Sequence, residues 1–419
     1  MIKIGITGGS FHGNTGAEAM LITTIARLQE SLGEVRFGVF SPYYNDDRLV
    51  FSDRDNIHLY DASPFYLAFV LFPFSVLSAI LKRLGFPIVK GPFPKAVKYL
   101  AECDLILDIA GVSFIDSRKR FLPYNVLSIY PGFLFGKPVV KLAQAIGPIE
   151  QRINAFFARH CLKRCRHIFA RGQQTYAHLE EFGLSKGNYS LAPDVAFAHD
   201  PADSLTTKAP SEVMEAFEAF LANTPPTPII GICPSAVLYQ GSHGDLYLQT
   251  LISTIQSLSA RGFRFVIFPN ASKSHKPNTM RNNDLPLLRL LKASLDSVGS
   301  CHLMEADLNA SDIRDILRRV DLAVVSRFHA MIFSLLEHKL PVVVSWSHKY
   351  REVMDQFELG DLVLDHQSID AERLTRLIND TLERSQELSN RLGTHLPSVC
   401  EDAKTQLTYA ANLAKQGRI

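Results

Sequence analysis

A guanidinium and an imidazole two residues apart, Arg327 and His329, are the strongest chemical signal in this sequence. They lie in Ser326-Arg327-Phe328-His329, directly after Leu322, Ala323, Val324 and Val325, an apolar run that reads as a strand buried on both faces. Leu335 and Leu336 continue the pattern at helical spacing, so the polar pair is placed between a strand and a helix. Ligands of open parallel sheets bind outside the carboxyl ends of the strands, which is where these two side chains fall. Phe328 between them packs inward while the polar groups face a cleft. A second strand, residues 341–345, is expected to end nearby in Trp346-Ser347-His348-Lys349 and to add an ammonium. Such a trio suits a small, multiply charged anion together with a proton transfer. Arginine forks hold carboxylates and phosphates bidentately, and an imidazole, with an ordinary pKa of about 6.5, serves as a general acid.

Other polar groups also fall at predicted strand ends. Ile2 to Ile6 reads as a first strand, followed by a glycine-rich turn and a helix running to about Leu32, with Gly33 as its stop. A strand, a glycine loop and a helix N-terminus make a place for an anion or for sugar hydroxyls. His12, Asn14 and Glu18 stand at its mouth. The spacing is not GxGxxG, so no dinucleotide site is read, and tight packing explains the glycines equally well. Asp108 lies in the strand read at 104–110, Arg171 follows the short strand 167–170, and Ser235 sits in the turn after the strand 228–233. His160, Cys161, Cys165 and His167 invite a zinc reading, but no CxxC pair accompanies them, so a structural role is read and no metal.

The elements that position these groups follow from length and pattern. At 419 residues the chain is too long for one ordinary core, and two α/β domains are expected. Alternating strands and helices repeat on both sides of a polar stretch at residues 197–210, read as a linker. The expected architecture is two Rossmann-like domains facing a central cleft: residues 1–200 with an apolar insertion at 64–98, residues 201–390, and a C-terminal helix at 391–419. Helices are expected at about 369–388 and 398–414, and residues 271–284 read as a mobile polar loop near the cleft. A net charge of +2 gives no sign of a nucleic-acid partner, the six cysteines suggest reduced thiols, and the N-terminus lacks a signal-peptide layout, so a cytoplasmic protein is expected. Residues 64–81 carry no charge and are followed by Lys82, Arg83, Lys90, Lys95 and Lys98. The plain reading is a buried helical hairpin interrupted at Pro73. The sharper one is peripheral contact with the inner membrane face through an apolar surface with a basic rim. A crossing is disfavoured because strands on both sides of the segment should share one sheet.

With residues 13–20 (GNTGAEAM), Asp194 in Ala-Pro-Asp-Val-Ala-Phe and residues 326–330 (SRFHA) in view, the chain resembles the polysaccharide pyruvyl transferase family, from the first turn to about Gly360. The resemblance implies a glycosyltransferase-B-like fold. It also implies transfer of the pyruvyl group of phosphoenolpyruvate onto sugar hydroxyls as a ketal, with release of phosphate and no cofactor, in capsule, exopolysaccharide or cell-wall polymer synthesis. Carried over by motif, Arg327 and His329 fall on the donor-binding pair, Arg171 on a second donor arginine and Lys349 on a downstream basic residue, with Ser235 on the same donor side. The acceptor, a sugar or lipid-linked saccharide, is expected at the neutral and acidic groups of the amino-terminal half: His12, Asn14, Glu18 and Asp108. The chain carries only Ala110-Gly111-Val112 where many members have a richer glycine turn. The rival reading is a sugar-nucleotide-dependent glycosyltransferase of the same plan, with Arg327 or Lys349 on a diphosphate. A sugar-binding protein without turnover fits the separated basic residues and His329 less well.

Overall fold

The computed structural model describes residues 1–85, 91–222, 227–296 and 298–417. Lys90 of the expected basic rim lies outside the described residues. The chain divides into two compact units. Unit 1 comprises Met1–Phe11, Ala19–Asp203 and the chain from Cys400 on, and unit 2 comprises His12–Glu18 and Ser204–Val399. The first turn thus clusters with the second half of the chain, and the end of the chain with the first half.

Continuous apolar runs form the strands of both units. Runs such as Leu105–Asp108, Ile229–Cys233 and Leu322–Val325 are buried at every residue, as expected of parallel strands covered by helices on both faces. Unit 1 holds β1 (Ile2–Thr7), β2 (Val35–Ser41), β3 (Ile57–Asp61), β4 (Leu105–Asp108), β5 (Val112–Ser113), β6 (Val139–Ile146), β7 (His167–Ala170) and β8 (Tyr189–Leu191). They pair in parallel in the order β3-β2-β1-β4-β6-β7-β8, with β5 on β6. Unit 2 holds β9 (Ile229–Cys233), β10 (Arg264–Ile267), β11 (Cys301–Leu303), β12 (Leu322–Val325), β13 (Leu340–Ser345) and β14 (Val363–Asp365). Their order, β11-β10-β9-β12-β13-β14, is the doubly wound Rossmann order, and its direction reverses between β9 and β12. Each unit has its own core, centred on Ile106, Val139 and Ile168 in unit 1 and on Ile232, Phe265 and Val324 in unit 2.

Two expectations need correction. Residues 64–83 form one helix (Pro64–Arg83), not a hairpin. Pro73 cannot donate a backbone hydrogen bond, and the helix absorbs this by widening into a π-helical stretch, Leu67–Leu71, in which Phe72 N–H bonds back to Leu67 O. Nor is the helix buried overall: Phe65, Phe69, Phe74, Leu77 and Ile80 are exposed. At the other end of the chain, the two helices expected at about 369–388 and 398–414 become Ala371–Glu383 and one long helix, Ser385–Gln416, with Pro397 inside it. An interior proline costs a helix about 3 kcal/mol. The stripe Leu388, Leu392, Leu396, Val399, Ala403, Leu407 and Ala410 is buried on both sides of Pro397, and each such large side chain contributes about 1.5–3 kcal/mol, which outweighs the proline.

Candidate active site

The reversal of strand order in unit 2 opens the sheet edge where β9 and β12 end, and the polar residues after these strands collect there. Arg327 is the N-cap of the helix Phe328–Leu336, which starts without a side-chain cap. Its Nε lies 3.1 and 3.0 Å from the two carboxylate oxygens of Asp284, and its Nη2 also bonds Asp284. Nη1 makes no hydrogen bond among the described residues, and the side chain stays 12% exposed. One edge of the guanidinium is therefore fixed to protein while the other is presented at a helix N-terminus, where the dipole favours an anion.

Asp284 organises the site. It is fully buried and also accepts from Ala236 N (2.9 Å), Ala271 N (3.0 Å) and Asn270 N (3.3 Å). The turn after β9, the segment after β10 and Arg327 after β12 are thereby held around one carboxylate. Two buried polar atoms in this shell, Ser235 Oγ and Asn270 Oδ1, make no hydrogen bond among the described residues. Buried polar groups are satisfied in the great majority of cases, and these two atoms are exceptions. Burial acts to lower the pKa of Arg327, and Asp284 beside it more than reverses the effect, holding the guanidinium above its ordinary range. The Cys233 thiol is pushed well up by burial and then by Asp284, which keeps it a thiol and removes it as a nucleophile. Behind the site, Tyr247 Oη donates to Ser326 Oγ (2.8 Å) and accepts from Ser235 N (3.1 Å), while Tyr350 Oη donates to Ser326 O (3.0 Å). Burial raises the pKa of both phenols, so they remain donors.

His329 is half-buried, edge-on to Phe328 with ring centroids 5.4 Å apart. Another neighbour is the first turn. A Cβ on Gly16 would overlap the His329 ring, so only glycine lets the backbone approach the imidazole this closely. The turn is fixed by Thr15, whose N (3.1 Å) and Oγ1 (2.9 Å) both donate to Asn270 O. Lys349 lies over the rings of Trp346 (4.7 Å), Phe328 (4.9 Å) and Tyr350 (5.7 Å), a cation–π arrangement that fixes the ammonium beside the residue separating Arg327 from His329.

The residues expected on the acceptor side are placed differently from one another. Asn14 caps its helix by accepting from Gly16 N (3.1 Å). Glu18 is buried, accepting from Thr206 Oγ1 and from Ala310 N (3.1 Å). His12 lies near His275, with centroids 5.3 Å apart. These three belong to unit 2 with Ser235, Arg327, His329 and Lys349, whereas Asp108 and Arg171 belong to unit 1. Asp108 is ion-paired with fully buried Lys141, whose Nζ also reaches Gln144 Oε1 (3.1 Å). Arg171 donates to Asp194 (2.5 Å) and to Gly111 O (2.8 Å).

Asp284 and Asn270 escaped the sequence reading. Asp284 precedes Leu285-Pro286 at a helix start and reads as an ordinary N-cap, yet its side chain makes no cap bond and turns to Arg327. The expected mobile loop, 271–284, is tied down at both ends. Ser272, Lys273, Asn283 and Asp284 are buried, and Asn283 Oδ1 accepts from Lys273 N (3.1 Å). No group of three metal-ligating side chains occurs among the described residues.

A family model described as polysaccharide pyruvyl transferase matches residues 14–348. A glycosyltransferase from Rickettsia africae is similar in structure with a TM-score of 0.59 and 12% identity, covering 99% of this chain and 98% of that one. Anabaena HepE in complex with UDP-glucose gives a TM-score of 0.54 and 13% identity over 99% of both chains. The UDP-GlcNAc 2-epimerase of Neisseria meningitidis, bound to UDP-GlcNAc, gives 0.56 and 11% over 98% of this chain and 99% of that one. At such identities the likeness is one of fold, and the fold is glycosyltransferase-B-like.

Proposed function

Because the chain belongs to the polysaccharide pyruvyl transferase family, a family of transferases, we propose that it moves the pyruvyl group of phosphoenolpyruvate onto a sugar of a cell-surface polysaccharide or its precursor. The observation that carries this reading is the Arg327 fork, held on one edge by Asp284 and open on the other, next to His329. Phosphoenolpyruvate offers a carboxylate and a phosphate, either of which such a fork binds. The hydroxyl of Ser235 and the ammonium of Lys349 supply further donors.

The chemistry then runs through His329. A protonated imidazole delivers its proton to C3 of the enol while an acceptor hydroxyl adds to C2 and gives up its own proton. The bond from C2 to the phosphate oxygen breaks next, and phosphate leaves with the electron pair and takes up the proton that the first hydroxyl gave up. A second hydroxyl adds to C2 and closes the ketal, its proton returning to His329. The charge developing at C2 is offset by the anions already bound, and the helix dipole and Arg327 stabilise the leaving phosphate.

Ligand-induced thermal stabilisation tests the donor. Phosphoenolpyruvate should raise the Tm of the wild type, and Arg327→Lys should weaken its binding by about 10–100-fold although the charge is kept, because one of two charge-assisted bonds is lost. Stabilisation by UDP-sugars with no response to phosphoenolpyruvate would favour a sugar-nucleotide-dependent glycosyltransferase instead.

A further inference from the structure

The helix Pro64–Arg83 leaves its least water-compatible face uncovered. Leu67, Leu71, Ser75, Ser78 and Ala79 are buried. Opposite them the helix presents Phe65 (73% exposed), Phe69 (65%), Phe74, Leu77 and Ile80, with no charge before Lys82 and Arg83. A surface helix of a water-soluble protein carries charged and polar residues on that side. Isolated exposed apolar residues need no explanation, but a contiguous face does.

A second helix of unit 1 repeats the pattern. On Arg152–Leu162, Ile153 (70% exposed) and Phe156 (68%) point outward, with Phe157 beside them. Tyr130 joins the two surfaces. Its ring lies 5.8 Å from Phe72, which continues the stripe of Phe65 and Phe69. It also stacks 5.6 Å from His160, which continues the stripe of Ile153 and Phe156 one turn on. Exposed cations rim both helices: Lys82 and Arg83 on the first, Arg152, Lys163 and Arg164 on or just after the second. Residues 62–179 contain 16 Lys and Arg against 5 Asp and Glu, a net +11 that leaves −9 for the rest of a chain of net +2. Of the acidic groups nearest the second helix, Asp116 is occupied by the N–H groups of Glu150 (2.6 Å) and Gln151 (3.0 Å).

We infer that this face of unit 1 docks in the plane of an anionic lipid surface, the phenylalanines entering the headgroup boundary and the cations meeting lipid phosphates. The helix is long and apolar enough to cross a membrane, but β1 and β3 precede it and β4, which follows it, pairs directly with β1. A crossing would divide one parallel sheet across a bilayer. Lying on the surface satisfies both the sheet and the exposed aromatics.

Vesicle flotation tests the inference, using phosphatidylcholine with or without phosphatidylglycerol. The wild type should float with the anionic vesicles, less so in high salt because exposed charges are screened. The pairs Phe65→Ser/Phe69→Ser and Ile153→Ser/Phe156→Ser, at exposed positions, should each abolish flotation while keeping the wild-type circular dichroism spectrum. Changing Lys82, Arg83, Lys163 and Arg164 to Gln should lower partition by roughly 100-fold or more. A folded wild type that floats with neither vesicle type, or serine variants that float as well as it does, would overturn the inference. So would equal flotation on both vesicle types, or dimers that the serine variants dissolve, which would assign the face to a second copy of the chain.

Discussion

Gly16→Ala tests the geometry around His329 through the sign of a stability change. Gly16 is the second residue of the helix Thr15–Leu32. Elsewhere in a helix, replacing glycine by alanine stabilises by about 0.5–1 kcal/mol, because alanine loses less chain entropy. Here the added Cβ would overlap Nδ1 and Cγ of His329 and stand 2.5 Å from its Cε1. Such overpacking costs about 1–3 kcal/mol, because the ring or the backbone must shift. The second term is the larger, so Gly16→Ala should destabilise by up to ~2 kcal/mol in urea unfolding. In a His329→Ala background the obstacle is gone and the same change should stabilise. The double-mutant cycle then gives a coupling energy of about 1–3 kcal/mol between the two positions. Turnover should fall as well, by roughly 100-fold for a displacement of about 1 Å at the acid. A Gly16→Ala protein at least as stable as the wild type, with the same increment in both backgrounds, would refute the contact between the first turn and the imidazole.

Asp284→Ala should destabilise by about 3–5 kcal/mol in urea unfolding, because it leaves Arg327 largely buried without its carboxylate, and a loss under ~1 kcal/mol would mean that Arg327 finds another partner. His329→Gln should keep phosphoenolpyruvate affinity by calorimetry while phosphate release falls by about 10²–10⁴-fold; near-normal release would reduce His329 to a positioning residue. Burial holds His302 below the ordinary histidine range, and burial, with a smaller contribution from Arg166, does the same for His167. Below an ordinary histidine pKa of about 6.5 the unfolded chain therefore binds more protons than the folded one. Stability should be fully present above that pH and fall as pH drops through the folded-state values, and replacing both histidines by Gln should flatten the profile measured by urea unfolding.

Many of the strands and several of the helices were legible in the sequence because their signals are local, whereas β3, β5, β8, β11 and β14 went unread. An apolar run ending in Ser326-Arg327-Phe328-His329 before a helical pattern is read from adjacent residues, and the structure has β12 and then the helix Phe328–Leu336 at that place. The two-unit plan followed from repetition of the same local pattern on both sides of a polar stretch. What the pattern could not reveal are pairings between residues far apart in the chain. Asp284 meets Arg327 across 43 residues, and whether a carboxylate at a helix start caps its own backbone or turns to a distant guanidinium depends on which is brought within reach. Glu18 looks like an open polar group in the sequence, yet it bonds Ala310 N at a separation of 292 residues, because the segment His12–Glu18 clusters with unit 2. The uncharged run 64–81 announces a helix, since composition and length suffice for that. Only the tertiary structure decided that the run continues as one helix past Pro73 and keeps Phe65 and Phe69 exposed. Backbone preference and hydrophobic period are properties of neighbouring residues, whereas burial and the partner of a charged group are properties of the packed chain.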